Sequence, residues 1–144
     1  MKRITYVLML TFLLFSYTAV SQVKFSDDLK LFQYKYQRTA EIISLEDFKK
    51  KLIELNFVDF INIDNTIYAK NFFTKMIYGS AMEIHYSIKI EKTQNNISII
   101  FSNFKINDVR YGKVALEELK SKHQKRWIEE IDKRIPGVIN QINN

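Results

Sequence analysis

The sequence predicts an α+β domain, an antiparallel sheet in β-α-β-β-β-β-α order with both helices packed on one face. Three observations predict it. Long stretches between Leu29 and Ile106 alternate apolar and polar residues at period two. Two segments, one opening at Ser44 and one running from Leu116 to Ile135, repeat apolar residues at steps of three and four. Phe (11) and Tyr (8) are abundant while Gly (3) and Pro (1) are scarce, so strand formers far outnumber strand breakers.

The polar stretch Gln22–Asp28 reads as a loose lead-in. In Leu29–Arg38, Phe32, Tyr34 and Tyr36 share one strand face, and Gln33, Lys35 and Gln37 share the other. Ser44 is placed to accept from an orphan N–H of the next helix, with Asp47 three residues on as a short capping-box partner. Leu45, Phe48, Leu52 and Leu55 give that helix its apolar stripe, and Lys49, Lys50 and Lys51 lie mostly outside it. Phe57–Ala69 reads as a hairpin turning at Asp64-Asn65, because Asp and Asn tolerate positive φ.

Asn71–Ser80 is too apolar for an ordinary loop. Its Phe72, Phe73, Met76, Ile77 and Tyr78 suit an edge strand or a flap folded onto the core, and would form the best interaction patch in the chain if exposed. Met82–Glu91 is the cleanest strand: Met82, Ile84, Tyr86, Ile88 and Ile90 alternate with Glu83, His85, Ser87, Lys89 and Glu91. In Ile97–Ile106 the apolar face changes parity at Ser102-Asn103, which predicts a bulge. Asn107–Lys113 reads as a connection to the last helix, with stripe residues Leu116, Leu119, His123, Trp127, Ile131 and Ile135; Pro136-Gly137 is expected to end or kink it.

Residues 1–21 have the form of a cleavable signal peptide. Lys2 and Arg3 precede the uncharged run Ile4–Phe15, and Ala19-Val20-Ser21 supplies small residues at −3 and −1, so cleavage is expected before Gln22. The run is too short and too interrupted by Thr5 and Thr11 for a spanning helix. The organisation expected is therefore a leader, 1–21, and one domain, 22–144. Removal of Lys2 and Arg3 lowers the net charge from +6 to +4, a mild excess that suits solubility more than nucleic-acid binding. The absence of cysteine removes disulfides, thiolate metal sites, thiol catalysis and a cysteine-linked lipid anchor. No glycine-rich phosphate loop is present.

The element order behind a leader is carried by Ser44-Leu45-Glu46-Asp47-Phe48, by the hairpin Phe60–Ala69 and by the paired strands Ile88–Glu91 and Ile97–Phe104. It resembles a family of secreted bacterial domains of unknown function with a TATA-binding-protein-like (TBP-like) fold, over about residues 29–106. An Arg-Tyr-Arg step usual in that family is replaced here by Ile99-Ile100-Phe101, and the Ser102-Asn103-Phe104 end is kept. The resemblance implies the fold and no activity or catalytic residue. The DNA binding of the name-giving protein is not implied either, since fold does not imply function. The expected open face (Gln33, Lys35, Glu83, His85, Lys89) is mixed in charge and lacks apolar wedges for a minor groove.

The function expected is an exported, non-enzymatic binding module of the periplasm or cell surface, in a Gram-negative bacterium, contacting a protein partner. The alternative is a carrier of a small apolar ligand, with a helix-grip architecture enclosing a cavity between sheet and C-terminal helix. Phe72, Phe73, Met76 and Tyr78 are the candidate partner-binding residues; Lys35, Glu83, His85 and Lys89 are the candidate polar residues of the open face. Glu83 and His85 supply at most half of a metal site, so no metal, no other cofactor and no catalytic residue is expected. Nucleic acid is not an expected partner, and no membrane anchor is expected after cleavage.

Overall fold

The computed structural model describes residues 22–39, 44–108 and 112–144; the leader expected at 1–21 lies outside the described residues. The chain runs through β1 (Val23–Ser26), β2 (Leu31–Thr39), α1 (Leu45–Glu54), β3 (Val58–Ile63), β4 (Thr66–Ile77), β5 (Ser80–Lys92), β6 (Asn96–Asp108), β7 (Gly112–Ala115), a 3-10 turn (Leu116–Glu118) and α2 (Ser121–Asn143). The sheet order is β1-β2-β6-β5-β4-β3, and β7 adds to the far half of β6. Every pair is antiparallel.

The predicted α+β class and the antiparallel sheet hold. Two strands are added at segments read from sequence as irregular. β1 pairs Val23 with Tyr34 and Phe25 with Phe32, so the expected loose lead-in is a strand. β7 pairs Val114 with Ile106, within and beyond the expected connection. Asn71–Ile77 is not a flap: it continues β4 past Lys70, the last residue paired with β3, so this half of the strand pairs with β5 alone and is an edge segment, one of the two forms expected. Tyr78-Gly79 forms the turn, both at positive φ (48° and 78°), as a two-residue hairpin with right-handed strand twist demands.

The predicted bulge sits where the parity changed. Ser87 pairs with Ser102 and His85 with Lys105, leaving one extra residue on β6, and Asn103 takes φ 54°. The extra residue returns Phe104 and Ile106 to the same face as Ile97, Ile99 and Phe101. α1 starts as expected: Ser44 Oγ accepts the Asp47 N–H at 3.1 Å, and its hydroxyl donates to Asp47 Oδ2 at 2.6 Å.

One face of the sheet meets both helices. Ile84, Ile88, Ile90, Ile97, Ile99 and Phe101 from the sheet, Phe48 and Leu52 from α1, and Ile131 and Ile135 from α2 have no exposed surface. Tyr86 is the aromatic centre, with ring centroids of Phe101 and Phe57 at 5.8 and 6.0 Å. α2 does not end at Pro136. Ile139 and Ile142 keep the four- and three-residue spacing and are buried, so packing outweighs the hydrogen bond that proline cannot donate. Two side chains tie the C-terminal part to the N-terminal strands: Asp132 Oδ1 accepts the Val23 N–H at 2.8 Å, and Glu117 Oε1 accepts the Phe32 N–H at 2.8 Å.

Within this layer lies one ionic cluster. Lys75, on the inward side of β4, hydrogen-bonds and ion-pairs with Glu130 of α2, whose other carboxylate oxygen takes Arg134 Nε at 3.2 Å. Arg134 also lies over the Phe73 ring, 6.0 Å from its centroid.

Candidate functional site

Among the described residues, the second face of the sheet carries no helix. The strand pleat sends Glu83, His85, Ser87, Lys89 and Glu91 of β5 to it, all half-buried, while their neighbours are buried beneath the helices. The registers then place residues of five strands in rows. Ile61, Tyr68, Lys89, Ile100 and Lys35 form one row across β3, β4, β5, β6 and β2. Phe72, His85 and Lys105 form a second, and Thr74, Glu83, Asn107 and Lys113 a third.

The pleat divides the first candidate set. Phe72 and Met76 stand on the open face, 49% and 63% exposed. Phe73, the next residue, faces the helices, half-buried against Tyr86 at 6.0 Å. Tyr78 is in the β4–β5 turn, 95% exposed, with the Arg126 guanidinium 5.9 Å from its ring centroid. The second set, Lys35, Glu83, His85 and Lys89, is on the open face as read.

The structure joins the two sets at one point. The Phe72 ring lies 5.3 Å from the His85 ring at an interplanar angle of 30°. His85 Nε2 hydrogen-bonds to Glu83 Oε2 at 2.9 Å, and Asn107 Nδ2 donates to the same oxygen at 3.1 Å. The Asn107 and His85 hydrogen bonds hold the Glu83 carboxyl below its ordinary value, with Lys113 adding a weaker pull. A carboxylate can only accept, so Nε2 carries the proton of this hydrogen bond. Nearby, Lys89 Nζ donates to Glu91 Oε2 at 2.7 Å, which keeps the Lys89 ammonium charged above its ordinary range. The arrangement orients an imidazole but brings no nucleophile to it. Among the described residues no group of three or more His, Cys, Asp or Glu side chains is placed to hold a metal ion.

The open face is less polar than the sequence implied. Its β3–β4 half exposes Ile61 (57%), Ile63 (55%) and Tyr68 beside Phe72 and Met76, an apolar band on the same surface as the charged residues of β5. Sequence reading missed Ile61 and Ile63 because they belong to a hairpin whose other residues looked like ordinary core. It missed Asn107, whose hydrogen bond to Glu83 is made across the β5–β6 pair. Gln33, expected on the open surface, is buried (7% exposed) and borders an open groove of about 660 Å³ at the β1–β2 margin, with Lys24, Lys35 and the Asp27-Asp28 turn.

A helix layer on one face of an antiparallel sheet, with the other face bare, is the TBP-like architecture, and the likeness to solved structures is to that class. A TBP-like protein from Parabacteroides distasonis ATCC 8503 superposes with a TM-score of 0.58 at 15% identity, covering 78% of this chain and 90% of the other. A DUF4468 family protein from Bacteroides ovatus ATCC 8483 superposes with a TM-score of 0.57 at 12% identity, covering 88% and 92%. At these identities the likeness is one of fold. No protein-family model matches the chain, and no curated protein matches it.

Proposed function

We propose that this protein is an exported, non-enzymatic binding module that holds a protein partner against the open face of its sheet, at the periplasm or cell surface. One observation carries the reading. The band Ile61, Ile63, Tyr68, Phe72 and Met76 is exposed on a face that no element among the described residues covers, although the fold has apolar side chains enough to fill a complete core on the other side. Exposed apolar side chains on one face, here interspersed with Lys70 and Thr74, suit protein contact. The Phe72–His85–Glu83–Asn107 chain supports it by holding the central aromatic ring against an oriented imidazole, so little order is lost on docking. Export rests on the form of residues 1–21.

A carrier needs a cavity between sheet and α2. That interface is occupied by side chains without exposed surface, Ile88, Ile99, Phe101, Ile131 and Ile135 among them, and the groove described lies instead at the outer β1–β2 margin. The binding-module reading is tested by a photo-crosslinking residue in place of Phe72 in cells that make the full chain. One discrete adduct, lost in a Met76→Glu background, is expected. Crosslinking to lipid alone, or to no protein, would refute it.

A further inference from the structure

We propose that the free edge of β3 pairs with the β3 edge of a second copy of this chain, antiparallel, with Asn62 on the two-fold axis. The pairing is made by the backbone edge and takes up Ile61 and Ile63 from the end of the open-face band, leaving Phe72 and Met76 to the docked partner, so the oligomeric state and the Phe72 crosslink can fail separately.

β3 ends the sheet, and nothing among the described residues pairs with its outer side. The two-residue turn at Asp64-Asn65 closes on the Ile63–Thr66 pair, which sets the direction of the backbone groups. Alternation from that pair aims the N–H and C=O of Ile63 and Ile61 at β4 and those of Asn62 outward. A strand edge with unpaired groups is a template for another strand. Natural edges are commonly blunted by lysine, arginine or proline. Val58–Ile63 contains none of them; its one charge, Asp59 at φ 55°, and a bulge between Val58 and Ile61 sit in the first half of the strand and leave Ile61–Ile63 regular, and the side chains are exposed apart from a half-buried Phe60.

The strand fits itself in one register. With Asn62 opposite its own copy, the two Asn62 residues exchange N–H···O=C bonds, and Ile61 of each copy faces Ile63 of the other on the open face. Four isoleucine side chains, each more than half exposed in one chain, then cover one another. No like charges meet. Asp59 is the sole charged residue of β3, is already paired with Lys70 at 2.9 Å, and lies in the bulge outside the Ile61–Ile63 contact. This self-complementarity favours a second copy over a foreign strand. The pairing joins two open faces into one continuous sheet. An edge of this length buries less than a standard interface, so the dimer is expected to be weak and concentration-dependent.

The chain has no cysteine, which makes the test specific. Asn62→Cys and Val58→Cys are made singly in residues 22–144 and oxidised mildly across about 1 μM to 1 mM protein. Paired Asn62 Cα atoms would lie about 5.5 Å apart, inside the span a disulfide bridges, whereas two Val58 residues, each beyond its own bulge, would sit roughly 20 Å or more apart. Asn62→Cys is expected to form a covalent dimer and Val58→Cys is not. Sedimentation equilibrium of the unsubstituted chain should show a dimer that Ile61→Lys weakens by roughly tenfold to a hundredfold, with an unchanged circular dichroism spectrum. A monomer at every concentration, or equal crosslinking of both cysteine variants, would overturn the proposal.

Discussion

The ionic cluster between β4 and α2 gives the most demanding test of the packing account. Glu130 is nearly buried (its side chain 9% exposed), Lys75 is 26% exposed and Arg134 is 54% exposed. Lys75→Met keeps the apolar stem and removes the ammonium. The Glu130 carboxylate is then left with Arg134 alone, whose guanidinium is half in water. Removing one partner of a fully buried pair costs about 3–5 kcal/mol; with Arg134 still at hydrogen-bond distance, about 2 kcal/mol is expected here. The double variant Lys75→Met, Glu130→Leu removes the stranded charge as well and should recover most of that loss, because a packed apolar pair often matches a buried ion pair. The pH dependence follows from the carboxyl. Burial pushes the Glu130 carboxyl up, but the Lys75 and Arg134 hydrogen bonds outweigh it and hold it below its ordinary value. A depressed carboxyl contributes stability above the unfolded pKa and loses it as pH falls through the folded one, so the gap between the parent chain and Lys75→Met should close below about pH 4. Urea unfolding of the four chains of the cycle, at pH 7 and at acid pH, measures this. Independent, additive losses at pH 7 would refute the idea that the three charges act as a unit.

Other outcomes follow from local geometry. Asn103 occupies the bulge at φ 54°, so Asn103→Gly should be close to neutral and Asn103→Val should cost about 1–2 kcal/mol in urea unfolding. Pro136→Ala restores a donor for the Asp132 carbonyl inside an otherwise continuous helix, and should stabilise the chain by about 1 kcal/mol or more, read as a higher unfolding midpoint with unchanged slope. Asn107→Ala removes the leading hydrogen bond to Glu83, so the Glu83 carboxyl should titrate closer to its ordinary value; NMR titration reads this directly, and an unmoved Glu83 would assign its depression to His85 alone.

What could be read from the sequence depended on how many residues carried each signal. β5 alternates over ten residues, and the change of parity at Ser102-Asn103 marks a register slip that no other local device explains. β1 has only four residues, two of them Lys24 and Ser26, and such a run is too short for period two to stand out. Phe72 and Phe73 are neighbours in sequence but belong to opposite faces, so a patch drawn from composition alone merged a surface ring with one on the helix side. Lys75 sits at an inward position between Phe73 and Ile77, which flags a charge needing a partner. The partner is 55 residues away on α2, and nothing local names it. Pro136 does not end α2, because the cost of a lost hydrogen bond is local, whereas the compensation from Ile139 and Ile142 is tertiary.

The hydrogen bond from Val23 to Asp132 joins residues 109 positions apart. β1 rests on β2, and β2 finds its other neighbour only in β6. The β1–β2 hairpin, made first, can therefore join the sheet only after β6 exists, and Val23 gains its Asp132 acceptor only with α2 in place. Folding becomes an event that waits for the last helix, and contacts of this span are slow to close.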